Sequence, residues 1–571
     1  MAPQPFEFNL ETMLNSLKYL SDTLHWLSSM DDNELFRVFQ ESTCDVLAAQ
    51  LWPLVFAVKR MRNRYPVVNR LPSEILSAIF ESLMPAYPKM TLGYRDYVNL
   101  DSIIENSGYR SAAAAPSLVC RHWRNVILGT PAMWTDVHVS SQTLAGDNND
   151  PYGRFISRQL VRSGNRPLNV QFYEALSPAS LQLTFMQDLL EQVYRIRRLA
   201  LPLDSADDDI YPWTENANQL EVLDISGPYR PRHSGLLNLA QVPRLHTLGV
   251  SGGVPWQTGA FRNLRHLLLK FSHDTSLADF VKGGLMTVLA LNAHTLEDIV
   301  ISDPLVHLDV DDELETVLKA VSPVDMPALK RIDIEGTPAF NKIVEPRLML
   351  HDCARDYHFD QYTFDSADQE LSAGNHISAN KLFISTAYVA GVKGAEAVRV
   401  RNNSPGTSLS LFFDRTHVEE LWLWAGWDRD GVRPARELLK LMRAVKTLVI
   451  RGGEKKFLAQ YANFDLFPSL SELQLHSQIE SSYPALLKFF ARRKQDGQAI
   501  ETLRFVRDPQ KSRRTGAYAM FKQRKSELEL YVGNVVYDDL PDGREAPCME
   551  LPAVCNTKSL VHAFWDPWHL L

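Results

Sequence analysis

The residues best suited to chemistry in this 571-residue chain are a run of metal-ligand types: His351-Asp352-Cys353, then Asp356 and His358. Imidazole, thiolate and carboxylate all bind zinc, but a structural site needs a second ligand pair at finger-like spacing. The chain has no such pair, so the run reads as a polar segment with incidental His and Cys. His562 and His569 flank an aromatic tail of Trp565, Pro567 and Trp568, and packing accounts for them. The chain holds no glycine-rich phosphate loop, no G-x-S-x-G elbow and no H-E-x-x-H pair. The expectation is a protein without catalytic residues, cofactor or metal, and not an enzyme.

Charge and composition narrow the partners. Sixty Lys and Arg against 68 Asp and Glu leave a net charge of −8. That argues against nucleic acid, which demands a basic face. The basic residues Lys511, Arg513, Arg514, Lys522, Arg524 and Lys525 read as solvated surface, with a nuclear signal as the alternative. No apolar run approaches the ~20 residues of a membrane span, and the amino terminus lacks a signal-peptide pattern. Cys44, Cys120, Cys353, Cys548 and Cys555 are odd in number and scattered, as expected of reduced thiols in the cytoplasm or nucleus.

If the chain does no chemistry, its elements must build binding surfaces. Residues 1–64 read as an amino-terminal helical segment: Leu10, Met13, Leu14, Leu17, Leu20, Leu24 and Leu27 recur at helical steps. It is read as a cap on the neighbouring domain, with self-association as the sharper alternative. After Pro66 and Pro72 a new helix is expected from Ser73, with Glu74 in its first turn. Ile75, Ile79 and Leu83 fall at i, i+4 and i+8, beside Leu76 and Phe80. Residues 84–111 read as a long loop. A second helix is expected from about Ala112 to Leu128, stopped by Gly129 and Pro131. Two helices this short and apolar cannot form a core alone.

The motifs Leu71-Pro72-Ser73-Glu74-Ile75, Leu118-Val119-Cys120-Arg121-His122-Trp123-Arg124 and Thr130-Pro131-Ala132-Met133-Trp134 occur in that order. Over 65–137 the chain resembles an F-box, in particular the F-box proteins of mushroom-forming fungi. It departs from them in the long internal loop and in Met133, where Leu is usual. The resemblance implies a contact with a Skp-family adaptor, and through it a cullin. The adaptor-binding residues it implies are Leu71, Pro72, Glu74, Ile75, Ile79, Phe80, Val119, Cys120 and Trp123. Trp134 is expected to pack at the junction with the next domain.

Residues 138–537 carry L-x-x-L-x-L strands. Their central residues Leu199, Leu223, Leu248, Leu267, Ile299 and Ile332 are 19 to 33 residues apart, and Leu421, Leu448, Leu473 and Leu503 are 25 to 30 apart. Helical stretches intervene, as at Leu314–Val321, Leu438–Val445 and Leu486–Phe490. This is the leucine-rich-repeat pattern, with a period of roughly 20–29 residues. The fold expected is α/β: a helical F-box, then an irregular leucine-rich-repeat solenoid with a parallel sheet on its concave side. The Asn that usually follows L-x-L is missing, so the solenoid is irregular, and Gly336 to Asn380 follows no repeat. Residues 538–571 are expected to form a carboxy-terminal cap or tail.

Within each strand the residues between the leucines face the concave side. Glu420, Trp422 and Trp424, with Glu472 and Arg504 from later strands, have the composition of a binding hot spot. The competing reading is that a loop or the tail covers them. The function expected is the substrate-receptor subunit of a cullin-type (SCF) ubiquitin ligase, with the repeats holding a target protein. The alternative is a leucine-rich-repeat scaffold, or an adaptor-bound protein, acting outside a ligase.

Overall fold

The computed structural model describes residues 66–83, 116–139, 151–173, 183–202, 211–226, 242–251, 261–270, 284–303, 322–336, 344–359, 377–385, 388–401, 413–424, 439–451, 466–476, 483–507, 516–539 and 549–556, with a few single positions. The amino-terminal helical segment, the 84–111 loop, the Leu314–Val321 stretch, Lys511, Arg513, Arg514 and the tail beyond 556 lie outside the described residues. The chain divides into two compact units, Met1–Pro85 with Ile104–Met133, and Ala86–Ile103 with Trp134–Leu571. No helix among the described residues is long and apolar enough to cross a membrane.

The described part of the smaller unit includes two α-helices, α1 (Ser73–Leu83) and α2 (Arg121–Leu128). The Pro72 carbonyl accepts the first helical bonds, from Ile75 and Leu76 at 3.1 Å each, so proline sits where its missing N–H costs nothing. Leu76 and Phe80, one turn apart, are buried. From α2, Val126 and Ile127 join them. The single helix expected from Ala112 to Leu128 is instead two pieces. Cys120 breaks it in an extended conformation, and its Sγ accepts from the Trp123 N–H at 3.5 Å. A side chain that serves the backbone N–H this way starts a helix afresh.

Among the described residues the larger unit is mixed α/β, built on one 17-stranded, mostly parallel sheet that does not close into a barrel. Strands β1 (Asp136–Val139), β2 (Leu168–Phe172), β3 (Ile196–Pro202), β4 (Val222–Ser226), β5 (Thr247–Ser251), β6 (His266–Lys270) and β7 (Asp298–Asp303) lie side by side in chain order. β8 (Val324–Met326) leaves the sheet to pair with β10 (Leu348–Leu350). β9 (Arg331–Gly336) and β11 (Ala354–Phe359) continue it. β12 (Ile377–Ser378) likewise pairs apart, with β16 (Phe413–Asp414).

The middle departs from the expected parallel order. β13 (Lys381–Ile384), β14 (Tyr388–Lys393) and β15 (Glu396–Arg401) form an antiparallel meander inserted in reverse. β15 lies beside β11, and β13 lies beside β17 (Glu420–Trp424). Short turns suffice between antiparallel strands, and Gly394, at φ 60°, makes the tight one between β14 and β15. β18 (Thr447–Arg451), β19 (Glu472–Leu475), β20 (Thr502–Arg507) and β21 (Asn534–Asp539) complete the sheet in order.

Leu199, Leu223, Leu248, Leu267, Ile299 and Ile332 stand in one register across six strands. Leu421, Leu448, Leu473 and Leu503 form a second such row. Both rows belong to one continuous core on one face of the sheet. Helices α3 (Pro151–Arg162), α4 (Thr184–Leu190), α5 (Leu285–Asn292) and α6 (Tyr483–Gln495) supply its other side.

The missing Asn ladder is replaced by individual buried polar side chains. Asn292 accepts from the Leu264 N–H at 2.9 Å and donates to the carbonyls of Phe261 and Val288. Arg493 donates to the carbonyls of Gln498, Leu466 and Phe467. Arg195 donates to those of Arg166 and Leu160. Buried loop carbonyls need such donors, and a guanidinium, with five N–H groups, can serve several at once.

Candidate functional site

Two surfaces stand out, one on each unit. On the smaller unit, α1 presents two adjacent stripes. Leu76 and Phe80 point inward, and the Phe80 ring meets Trp123 at 5.0 Å between centroids. Ile75 and Ile79, one turn apart on the neighbouring stripe, are 48 % and 36 % exposed, and Val119 is 53 % exposed. Pro72 and Glu74 are exposed, while Leu71, Cys120 and Trp123 are half-buried. The Trp123 indole N–H donates to Asn69 Oδ1 at 2.5 Å, and the Ser77 and Thr130 hydroxyls meet at 2.8 Å. The first bond ties α2 to the turn before α1, and the second ties α1 to the residues just after α2. Of the nine residues proposed for adaptor contact, Phe80 is the one the structure places inside: it is 1 % exposed. Its size and its i+4 relation to Leu76 make it core. Leu118, 81 % exposed, was not in that set and extends the apolar surface.

On the larger unit, the sheet face opposite the main core carries its own apolar cluster. The alternation in Glu420-Leu421-Trp422-Leu423-Trp424 sends both leucines to the core and both tryptophans to this face. Register then aligns Ala390, Phe383, Trp422 and Val449 across β14, β13, β17 and β18. Phe383 stacks on Tyr388 with centroids 5.4 Å apart and meets the edge of Trp424 at 5.9 Å. The Arg451 guanidinium lies 4.4 Å over the Trp424 ring. The Trp422 indole donates to Glu420 at 2.6 Å, and Glu420 also meets Lys381 at 3.2 Å.

This cluster is not bare. Met549 and Cys555, from the carboxy-terminal segment, pack into it, with Leu551 partly buried alongside. Trp422 is 4 % exposed and Phe383 1 %. The described part of the tail therefore lies against the middle of the sheet. The rest of the expected cap or tail, with Trp565, Pro567 and Trp568, lies outside the described residues. Of the residues proposed for target binding, Glu420, Trp422 and Trp424 belong to this patch. Glu472 and Arg504 sit two and three strands away and are engaged with each other at 3.1 Å, with Asp538 taking a second Arg504 nitrogen at 2.7 Å.

Charge fills the same face toward β6. His266 Nδ1 and Asp298 lie 2.7 Å apart, both nearly buried. Burial pushes the Asp356 carboxyl up, but Arg399 and Arg401 outweigh it and hold it below the usual carboxylate range. Among the described residues Asp224 has no comparable partner: burial pushes it up to about 6 against the pull of Lys270. Burial likewise drives the thiols of Cys353 and Cys555 up to about 12, which makes them inert packing groups. In the candidate metal run, His351 bonds Asp325 at 2.6 Å and Asp356 is spent on arginines. No group of three metal-ligand side chains converges among the described residues.

Phe383, Val449 and Ala390 were not singled out from sequence; cover by the tail was the competing reading for Trp422 and Trp424, and Met549 and Cys555 supply such cover here. The signal was there in part. Leu382-Phe383-Ile384 and Leu448-Val449-Ile450 are unbroken apolar runs, the mark of a strand covered on both faces. The sequence matches no protein-family model and no curated protein.

Proposed function

We propose that this chain is a substrate-receptor subunit of a cullin-type ubiquitin ligase. The smaller unit acts as the F-box that grips a Skp-family adaptor. The larger unit acts as an irregular leucine-rich-repeat solenoid that holds a target protein. The observation that carries the adaptor half is the exposure of Ile75, Ile79, Leu118 and Val119, large apolar side chains in the described part of the smaller unit. Exposed large apolar side chains of this kind suit an interaction surface, and Ile75 and Val119 fall within the L-P-x-E-I and V-C-x-x-W-R motifs. Support for the repeat half comes from rows of in-register leucines on parallel strands, repeated through most of the sheet.

In this reading the chain performs no bond chemistry. It raises the effective concentration of target lysines near a charged conjugating enzyme. The test is co-purification of the full chain with the adaptor, followed by ubiquitin transfer in the reconstituted complex. Adaptor binding with ubiquitin transfer supports the receptor role. Adaptor binding without cullin recruitment favours a scaffold outside the ligase. No adaptor binding rejects the reading.

A further inference from the structure

Among the described residues, the apolar patch on this sheet face is covered by one short segment, whose pattern describes a ligand. Residues 549–556 occupy it. Met549 and Cys555 are buried at 2 % and 3 % exposure, while the Glu550 side chain between Met549 and Leu551 is 92 % exposed. Glu550 reaches Lys381 at 3.7 Å. The segment makes an internal turn, Cys555 N–H to the Pro552 carbonyl at 2.9 Å. Among the described residues no backbone hydrogen bond ties it to the sheet. The patch is also a separate cluster from the main core, which lies on the other face. Lifting the segment would leave that core untouched. Trp422, Tyr388 and Phe383 then remain beside Lys381 and Arg451, aromatic anchors with cations at their rim, the composition of binding hot spots.

We propose that this patch is the docking site for a short target peptide carrying an acidic residue between two apolar ones, and that residues 549–556 are a resident stand-in which such a peptide displaces. The inference rests on the target-binding half of the function proposed above and is independent of the adaptor contact. A tethered segment competes at an effective concentration in the millimolar range. A target must therefore bind tightly or arrive with further contacts, which guards the face against weak, unspecific occupants.

The test uses the full wild-type chain. The probe is a synthetic peptide spanning residues 546–557 with Cys548→Ser and Cys555→Ser. The readout is maleimide labelling of Cys555 in the chain, followed by tandem mass spectrometry of the tryptic fragment 545–558, which assigns the label to Cys555 rather than to Cys548. Labelling is slow for the chain alone, because the thiol is buried and its pKa raised. With millimolar peptide it is expected to accelerate about tenfold or more. The same peptide with Glu550→Lys is expected to accelerate it far less. Three outcomes overturn the proposal: no acceleration, which makes the segment fixed core; rapid labelling without peptide, which means the segment does not sit on the patch; or equal effects of the two peptides, which removes the acidic requirement. Adaptor co-purification on the same preparation separates failure here from failure of the adaptor reading, since either can fail alone.

Discussion

At the residue scale, the buried carboxylates Asp224 and Asp356 differ in the partners they have among the described residues. Asp224 is fully buried with one hydrogen-bond-free oxygen among the described residues. Its folded pKa, about 6, lies above its ordinary value of 3.8. The folded chain therefore binds this proton more tightly than the unfolded chain does. Its contribution is most favourable below the ordinary value and declines as pH rises through about 6, by about 3 kcal/mol in all. Asp224→Asn is expected to remove that decline, so the variant gains stability over wild type at pH 7.5 and not at pH 4. Urea midpoints at the two pH values decide it; equal shifts at both would refute it. Asp356 has the opposite sign. Its depressed pKa stabilises the fold above its ordinary value, and that support is lost as pH falls through the folded pKa. Arg493 supports three loop carbonyls at once. Arg493→Met is expected to cost on the order of 3 kcal/mol, with the urea m-value unchanged. Arg493→Lys should recover little, because an ammonium lacks the planar fork.

At the element scale, the meander β13–β15 depends on one close approach. A Cβ on Gly391 would stand 2.5 Å from the Phe413 ring and 2.9 Å from Ala379 Cβ. Gly391→Ala is expected to cost about 1–3 kcal/mol through overpacking, and Phe413→Leu should recover part of it in a double-mutant cycle. Independent, additive losses would contradict the contact. The repeated strands were legible because their leucines alternate with polar residues at a steady spacing. The register of Leu199 through Ile332 follows directly from that. The meander was not legible: Tyr388–Arg401 is a hairpin pattern without a tell-tale Asn-Gly, and reversed order in a sheet leaves no mark in local sequence. The break at Cys120 was also hidden, because cysteine is a rare capping residue and the apolar spacing runs straight through it. Phe80, to which the resemblance gives an adaptor contact, is buried beside Leu76, and its ring also meets Trp123, 43 positions away in the chain.

At the scale of the whole molecule, the two units carry surfaces of opposite kind. The small unit leaves isoleucines and a valine in solvent. The large unit keeps its aromatic patch under its own tail. Local motifs pointed to the first, because short helices with too much apolar surface declare an unmet partner. The second depended on contacts between strands 381–451 and residues 549–556, a separation that no spacing rule reaches. The measurement that bears most directly on the central claim is co-purification of the chain with a Skp-family adaptor, beside an Ile75→Asp/Ile79→Asp variant. Both side chains are exposed in the free protein, so the variant should keep its far-UV circular dichroism and melting temperature. Each buried isoleucine contributes on the order of 1.5–3 kcal/mol to an interface. The expected result is a stable complex with wild type and at least ~100-fold weaker binding by the variant. Absence of a wild-type complex, or a complex that the two aspartates leave intact, would contradict the account.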